Sequence, residues 1–344
     1  MEASFTRYLV RLGAALVGVF AVVWLYVVLA PMAYMEGGYP AWVAKMRMLD
    51  ACRLGDLAFF GDSRLESGVI PALLPVPASN LGVAAGTPVE VQAAVRRALA
   101  CERPPSQAVI SLTPEHFGPL TRYFWLLSVR YGFISPGELY AVEQRASALG
   151  DTVSLAAATP DGFGGRLRDW LYAIRFPSLS FSSLVQGRVF GRYQINMARL
   201  DAVLGAHGWS EYGAGGGLAG ETREAFAPTK LQNAEFEATL DRLHERGVDV
   251  VLLVLPFAHS DPRDKASQAA YLAYLAEAAK RHPGVRLAAP TIPYWPDRLF
   301  GDGEHLTAEG AKLLTERLAA CTQAGRLQPP CDLEWHGATA ESSR

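Results

Sequence analysis

The sequence has no run of basic residues and almost no net charge: 32 Lys and Arg face 34 Asp and Glu, for a formal charge of −2. That excludes the basic stripe with which nucleic-acid-binding proteins meet phosphates, and no nucleic-acid partner is expected. Cysteines are few, at Cys52, Cys101, Cys321 and Cys331. None lie in CxxC spacing, which argues against a zinc ribbon or a thioredoxin-type redox site. His207, His244, His282 and His336 likewise lack the spacing of metal ligands, so neither a metal nor another cofactor is expected. There is no internal repeat, and the glycines and prolines are unphased, which excludes collagen-like and low-complexity chains. What remains is 344 residues, half of them hydrophobic. That is enough for one large or two small domains with a substantial core.

Charge is also missing locally. From Leu12 to Met35 no residue is ionisable in the Asp, Glu, Lys or Arg sense. The run is about as long as the ~20 apolar residues a bilayer-crossing helix needs. Trp24, Tyr26 and Tyr34 suit an outer interface, and Arg7 and Arg11 before the run place the N-terminus in the cytoplasm. A cleaved signal peptide is the competing reading, but its best small-residue site, Val28-Leu29-Ala30, is followed by Pro31. The expected organisation is a cytoplasmic N-terminus and transmembrane anchor over 1–35 and a juxtamembrane segment over 36–55. A folded domain follows over 56–327, with a helical insertion at about 117–232, and then a polar tail over 328–344 expected to be partly disordered. In the juxtamembrane segment Trp42, Val43, Met46 and Leu49 fall at helical spacing, fit either to lie on a membrane or to pack on the domain.

Strand and helix signals then alternate. Leu57-Ala58-Phe59-Phe60 reads as a buried strand ended by Gly61, Asn80-Leu81-Gly82-Val83 as the end of a second, and Ala108–Leu112 as a third. Val248–Phe257 reads as a fourth and Val285–Ala289 as a fifth. Helices are expected over Val89–Leu99, Asn233–Arg246 and Thr307–Ala320, the last with Thr307 as N-cap and Leu313, Leu314 and Leu318 inward. Such alternation specifies an α/β fold, a parallel sheet covered on both faces. Cys52 and Cys101 each precede a strand and Cys321 and Cys331 lie close together. The expected disulfides are those two pairs, free buried thiols being the alternative. The insertion is rich in aromatic and arginine residues and includes a glycine-rich stretch, Gly213–Gly220, that reads as a mobile loop. It is expected to lie over the strand ends as a cap.

Two motifs carry chemistry. Gly61-Asp62-Ser63 follows a buried strand, and ligands of open α/β sheets bind at the carboxyl ends of strands. Asp302-Gly303-Glu304-His305 precedes the last helix. A three-residue spacing on a helical turn sets Asp302 beside His305, so the carboxylate can orient the imidazole as base for a serine nucleophile. Singly, each is more simply read as a turn or a cap. Together they make Ser63, His305 and Asp302 the candidate catalytic residues.

Phe60-Gly61-Asp62-Ser63 resembles the first block of the SGNH (GDSL) hydrolase family, and Asp302-Gly303-Glu304-His305-Leu306-Thr307 its last. Asn80–Thr87 is similar to the second block. The resemblance implies the family's flavodoxin-like sheet of about five strands (the SGNH fold). It also implies an oxyanion hole with a backbone donor at Ala85 or Gly86. The family's third block, Gly-x-Asn-Asp, is absent; Ser111-Leu112-Thr113-Pro114-Glu115-His116 stands in its place, leaving Thr113 or His116 as candidate donor. The loss of one such donor costs a serine hydrolase ~10²–10³ in rate. An anchored chain with this departure resembles the extracytoplasmic partners of membrane-bound O-acyltransferases. The implied function is transfer of an acyl group, of acetyl type, through an acyl-serine onto an exported polysaccharide. The implied location is the periplasmic face of the cytoplasmic membrane, with the membrane-bound acyltransferase and the polysaccharide acceptor as partners. A deacylating esterase of glycan or lipid, and a non-catalytic subunit of an acylation complex, are the alternatives.

Weaker candidates complete the set. His259, with Ser260 and Asp261, follows the fourth strand and is a candidate for substrate binding, as is His116; a solvated loop is the plainer reading of His259. Arg122, Arg130, Arg166, Arg168, Arg175, Arg188 and Arg192 crowd the insertion, suited to an anionic polymer, to lipid head groups or simply to solvated helix faces. Phe124, Trp125, Trp170, Tyr172 and Phe176 are suited to stack on sugars or to form the insertion's core.

Overall fold

The computed structural model describes residues 2–156, 163–211 and 225–336. The Gly213–Gly220 loop and the last eight residues of the tail lie outside them.

Five parallel strands form the sheet. β1 (Leu57–Gly61), β2 (Ala78–Asn80), β3 (Gln107–Ser111), β4 (Asp249–Leu252) and β6 (Val285–Leu287) stand in the order β2-β1-β3-β4-β6. A two-residue strand β5 (Phe257–Ala258) pairs separately with β7 (Tyr294–Trp295). β1 and β3 are buried along their whole length, because alternate residues serve opposite cores. Ala58, Phe60, Ala108, Ile110, Val250 and Leu252 join one cluster, with Val89 and Phe236. Leu57, Phe59, Val109 and Val251 join the other, with Leu314, Leu318 and Trp295.

Three strands are shorter than the hydrophobic pattern predicts: the fifth of the sheet, β6, ends at Leu287, and two others fall shorter still. The Val248–Phe257 run stops pairing with β3 at Leu253, whose N–H still reaches the Ile110 carbonyl at 2.9 Å. β3 itself ends at Ser111 and its chain turns away at Pro114, so no partner remains for Val254 and Leu255. Pro256, which lacks an N–H, then separates this run from β5. Likewise β2 ends at Asn80 rather than Val83. The Asn80 side chain accepts from Gly82 N–H at 3.0 Å and donates to the Leu65 and Val69 carbonyls at 2.8 Å, bending the chain over β1.

The helix Tyr39–Asp50 packs on the domain instead of lying free, burying Trp42, Met48 and Leu49. Its Lys45 is fully buried and donates to the carbonyls of Asn80 and Gly208, tying this segment to the edge strand and to the insertion. The described insertion helices include Pro136–Ala148, Phe163–Ala173, Pro177–Gln186 and Tyr193–Gly205. The last packs on Tyr39–Asp50, and Pro177–Gln186 packs on the N-terminal helix Glu2–Leu29. Much of the insertion thus leans toward the N-terminal helix. That helix is long and apolar enough over Phe5–Leu29 to cross a membrane, and only 6% of its most apolar window is buried.

Disulfides join Cys52 to Cys101 and Cys321 to Cys331. The first ties the chain entering β1 to the chain entering β3; the second closes a short C-terminal hairpin. Because stabilisation by a cross-link grows with the logarithm of the loop it closes, and the loops span 49 and 10 residues, the first should contribute about 1.4 kcal/mol more than the second. Denaturant unfolding of the Cys52→Ser/Cys101→Ser and Cys321→Ser/Cys331→Ser variants checks this. The first variant should lose roughly 2–4 kcal/mol and be the less stable of the two.

Candidate active site

Gly61 closes β1 against β3. A Cβ there would stand 1.9 Å from the Ser111 carbonyl oxygen, so only glycine permits this pairing. Asp62 then caps the short helix Ser63–Gly68, its Oδ1 accepting from Arg64 N–H at 3.0 Å, which sets Ser63 on the first helical turn at the carboxyl end of β1. The other carboxylate oxygen accepts from Thr113 N–H at 2.6 Å, from the Thr113 hydroxyl and from His116 Nδ1 at 3.0 Å. Asp62 is 1% exposed. Burial alone would raise its pKa, but the bond and charge of His116, the Thr113 hydroxyl and the Arg64 guanidinium outweigh it and hold the carboxyl well below the usual range. His116 responds in the opposite sense: burial favours its neutral form, and the Asp62 bond and charge overcome that and raise its pKa.

The second motif is not helical. Residues 301–305 form a bent loop, closed by an antiparallel bridge between Phe300 and Leu306 and by Gly301 N–H on the His305 carbonyl at 2.8 Å. Gly303 takes φ of 78°, which a helix cannot hold. The pairing expected from helical spacing arises here from an Asp-centred turn. Asp302 Oδ1 accepts from the N–H groups of Glu304 at 3.0 Å and His305 at 2.7 Å, while Oδ2 meets His305 Nδ1 at 2.7 Å. Burial works to raise the Asp302 pKa, but the His305 N–H and ring bonds prevail and lower it. An ionised carboxylate can only accept, so His305 carries its proton on Nδ1 and leaves Nε2 as the acceptor. Ser63 Oγ lies 2.8 Å from that Nε2. Ser63, His305 and Asp302, drawn from opposite ends of the chain, thus stand in one hydrogen-bonded row.

Two buried arginines hold the loops that carry this row. Arg263 reaches Glu115 Oε1 at 2.6 Å and also pairs with Asp261 and Glu304. Arg64 donates to the Glu304 carbonyl at 3.2 Å and to the carbonyls of Leu255 and Pro256. Both guanidinium groups lie over the Phe257 ring, at 4.3 Å for Arg64 and 5.0 Å for Arg263. Neither was visible as a site residue in the sequence. The only hint was Arg64 directly after the first motif and Arg263 two residues after Asp261, with further acidic residues at 115 and 304.

The other candidates fall as follows. Gly86 N–H donates to the Val83 carbonyl at 3.0 Å, and a Cβ on Gly86 would lie 2.7 Å from the Gly61 carbonyl, so the residue packs directly beside the nucleophile strand. Ala85 takes φ of 54°, and among the described residues no acceptor meets its N–H or that of Ser63. The Thr113 hydroxyl is directed at Asp62. His259 is exposed at the end of β5, its N–H on the Trp295 carbonyl, apart from the Ser63 hydrogen-bond row. Arg130 and Arg175 are held by protein partners. Arg130 pairs with Glu36 at 2.8 Å, and Arg175 donates to the Arg130, Tyr131 and Val28 carbonyls. The side chains of Arg166 and Arg168 lie outside the described residues. Phe124 and Trp125 are buried in the core, and Phe176 stands against Trp24. A cavity of about 450 Å³ lies at the other end of the sheet, beside Cys52, Pro77 and Ser79, and does not include Ser63. Among the described residues no cluster of three His, Cys, Asp or Glu is placed to hold a metal.

No family model, no curated protein and no solved structure matches the chain.

The Asp62–His116 pair makes a checkable claim about pH. Its His116 contribution to stability is fully present below the unfolded histidine value of 6.5 and fades as pH rises through the raised folded value. In protein carrying ¹³C-histidine, His116 should titrate above 6.5, and Asp62→Asn should bring it down. A His116 that titrates at or below 6.5 in the native protein contradicts the pairing.

Proposed function

We propose that this chain is a membrane-anchored serine enzyme of SGNH type that moves an acyl group through Ser63. The observation that carries the reading is the row Ser63 Oγ–His305 Nε2 at 2.8 Å and His305 Nδ1–Asp302 Oδ2 at 2.7 Å. In it, His305 takes the Ser63 proton as the oxygen attacks an acyl carbonyl, and Asp302 stabilises the imidazolium that results. The oxyanion meets the N–H groups of Ser63 and Ala85 at the positive end of the Ser63–Gly68 helix. His305 returns the proton to the leaving group, an acyl-Ser63 ester remains, and the same imidazole then deprotonates the incoming hydroxyl.

Gly86 and Thr113 are poorer oxyanion donors than Ala85 in this arrangement, since the N–H of the first and the hydroxyl of the second are already engaged within the protein. His116, a quarter exposed and with its pKa raised by the bond and charge of Asp62, is the better stand-in for the family's third-block Asn.

The acceptor we propose is a hydroxyl of an exported polysaccharide, with the acyl group, of acetyl type, supplied through a membrane-bound O-acyltransferase. Arg7 and Arg11 ahead of the apolar helix support a periplasmic domain. Hydrolysis is the second reading. Ser63 is only half-buried and the Asp302 side chain is 22% exposed, so water has access to an acyl-enzyme.

Full-length protein given an activated acetyl ester, with and without polysaccharide, separates the two outcomes. Acetylated glycan supports transfer; free acetate alone supports hydrolysis. Ser63→Ala should lose either activity by at least ~10³-fold while retaining native thermal unfolding. Activity retained in that variant would sink the reading.

A further inference from the structure

The insertion meets the N-terminal helix below that helix's upper end. The apolar stretch Leu12–Leu29 is 18 residues, about 27 Å of helix, close to the ~30 Å thickness of a bilayer core. With Leu29 at the outer boundary, Trp24 lies about 7 Å and Phe20 about 14 Å inside it. Those are the residues the insertion touches. Trp24 Nε1 donates to the Ile174 carbonyl at 3.0 Å, the Phe20 and Phe176 rings are 5.6 Å apart, and the Tyr26 hydroxyl donates to the Val189 carbonyl at 2.6 Å. Close approach is built in: a Cβ on Gly187 would stand 2.8 Å from the Tyr34 carbonyl oxygen.

The outer face of this segment is apolar. Phe181, Val185, Phe190 and Ile195 are 60–70% exposed. Its charges are of one sign. Residues 171–200 hold Arg175, Arg188, Arg192 and Arg199 and no Asp or Glu. Arg175 sends its guanidinium up the helix to the Val28 carbonyl and back to the domain, as a basic side chain at membrane depth does. Arg188 is exposed beside the apolar face.

We propose that residues 174–195 form a wedge that sits in the outer leaflet of the bilayer beside the anchor, with apolar side chains in the acyl region and Arg188 on anionic lipid head groups. The segment adjoins the anchor where Trp24 and Tyr26 meet it, and the exposed Arg188 matches such lipids. The proposal rests on Glu2–Leu29 spanning the membrane and is independent of any role for Ser63.

All four native cysteines are in disulfides, so a single introduced cysteine can be labelled with an environment-sensitive fluorophore. We would place it in full-length protein at Phe181→Cys and Phe190→Cys, with Val17→Cys in the mid-anchor and Lys280→Cys on the far surface as references. The proteins would be reconstituted in phosphatidylcholine–phosphatidylglycerol vesicles containing acyl-chain-brominated lipid. Labels at 181 and 190 should be quenched severalfold over that at 280, approaching that at 17. Quenching at 17 but not at 181 or 190 overturns the wedge and gives the face to a protein partner. Protection at 181 and 190 that is relieved only by diluting the protein in lipid gives it to a second copy, and also overturns it. No quenching even at 17 removes the anchor itself.

Discussion

Everything at the strand ends depends on one buried carboxylate. Asp62 accepts from the backbone of its own helix through one oxygen and from Thr113 and His116 through the other. A buried charge of this kind is tolerable only when its lone pairs are filled, and here the donors come from two different segments. The carboxylate therefore fixes the start of the Ser63 helix and the chain leaving β3 in one act. Arg64 and Arg263 extend the same logic outward, bringing the loops at 115, 261 and 304 onto a single aromatic ring. His305 meets Ser63 because the loop that carries it is held from both sides.

Much of this was legible in the sequence, for a physical reason. β1 and β3 are buried on both faces, so their apolar runs stand out whatever the rest of the chain does. The serine after β1 and the histidine before the last helix follow from where an α/β sheet exposes side chains. The failures have reasons of the same kind. Val248–Phe257 is apolar throughout, but a strand extends only as far as its neighbour, and β3 stops first. The Asp302–His305 spacing suits a helical turn, yet Gly303 and the Asp302 side chain make a bend that gives the same contact. Arg263 could not be placed at the site by local pattern, because only Asp261 is near it in sequence and its other partners, Glu115 and Glu304, lie 148 and 41 residues away. The insertion's arginines looked like solvated faces until the fold set Arg130 against Glu36 and Arg175 against main-chain carbonyls.

The insertion changes the setting of the site. The insertion packs against the N-terminal helix through Trp24 and Tyr26, and Asn196 holds the carbonyls of Met32 and Met35 just after it. Lys45 then links the segment after the anchor to the Asn80 turn, which leads within a few residues to Ala85. Packed contacts thus run from the segment after the N-terminal helix to the proposed oxyanion loop, with Lys45 as their buried link. Under the proposed reading, a group delivered at the membrane surface meets Ser63 at a distance from the N-terminal helix that packing sets, not a flexible tether.

The central claim is that Ser63 is a nucleophile activated by His305 and Asp302. Reaction of the full-length protein with a fluorophosphonate, followed by peptide mass spectrometry, addresses it directly. The account predicts one adduct, on Ser63, formed at a rate that collapses in Asp302→Asn and in His305→Ala. A protein that stays unmodified while natively folded, or that is modified on another residue with Ser63 untouched, would contradict it.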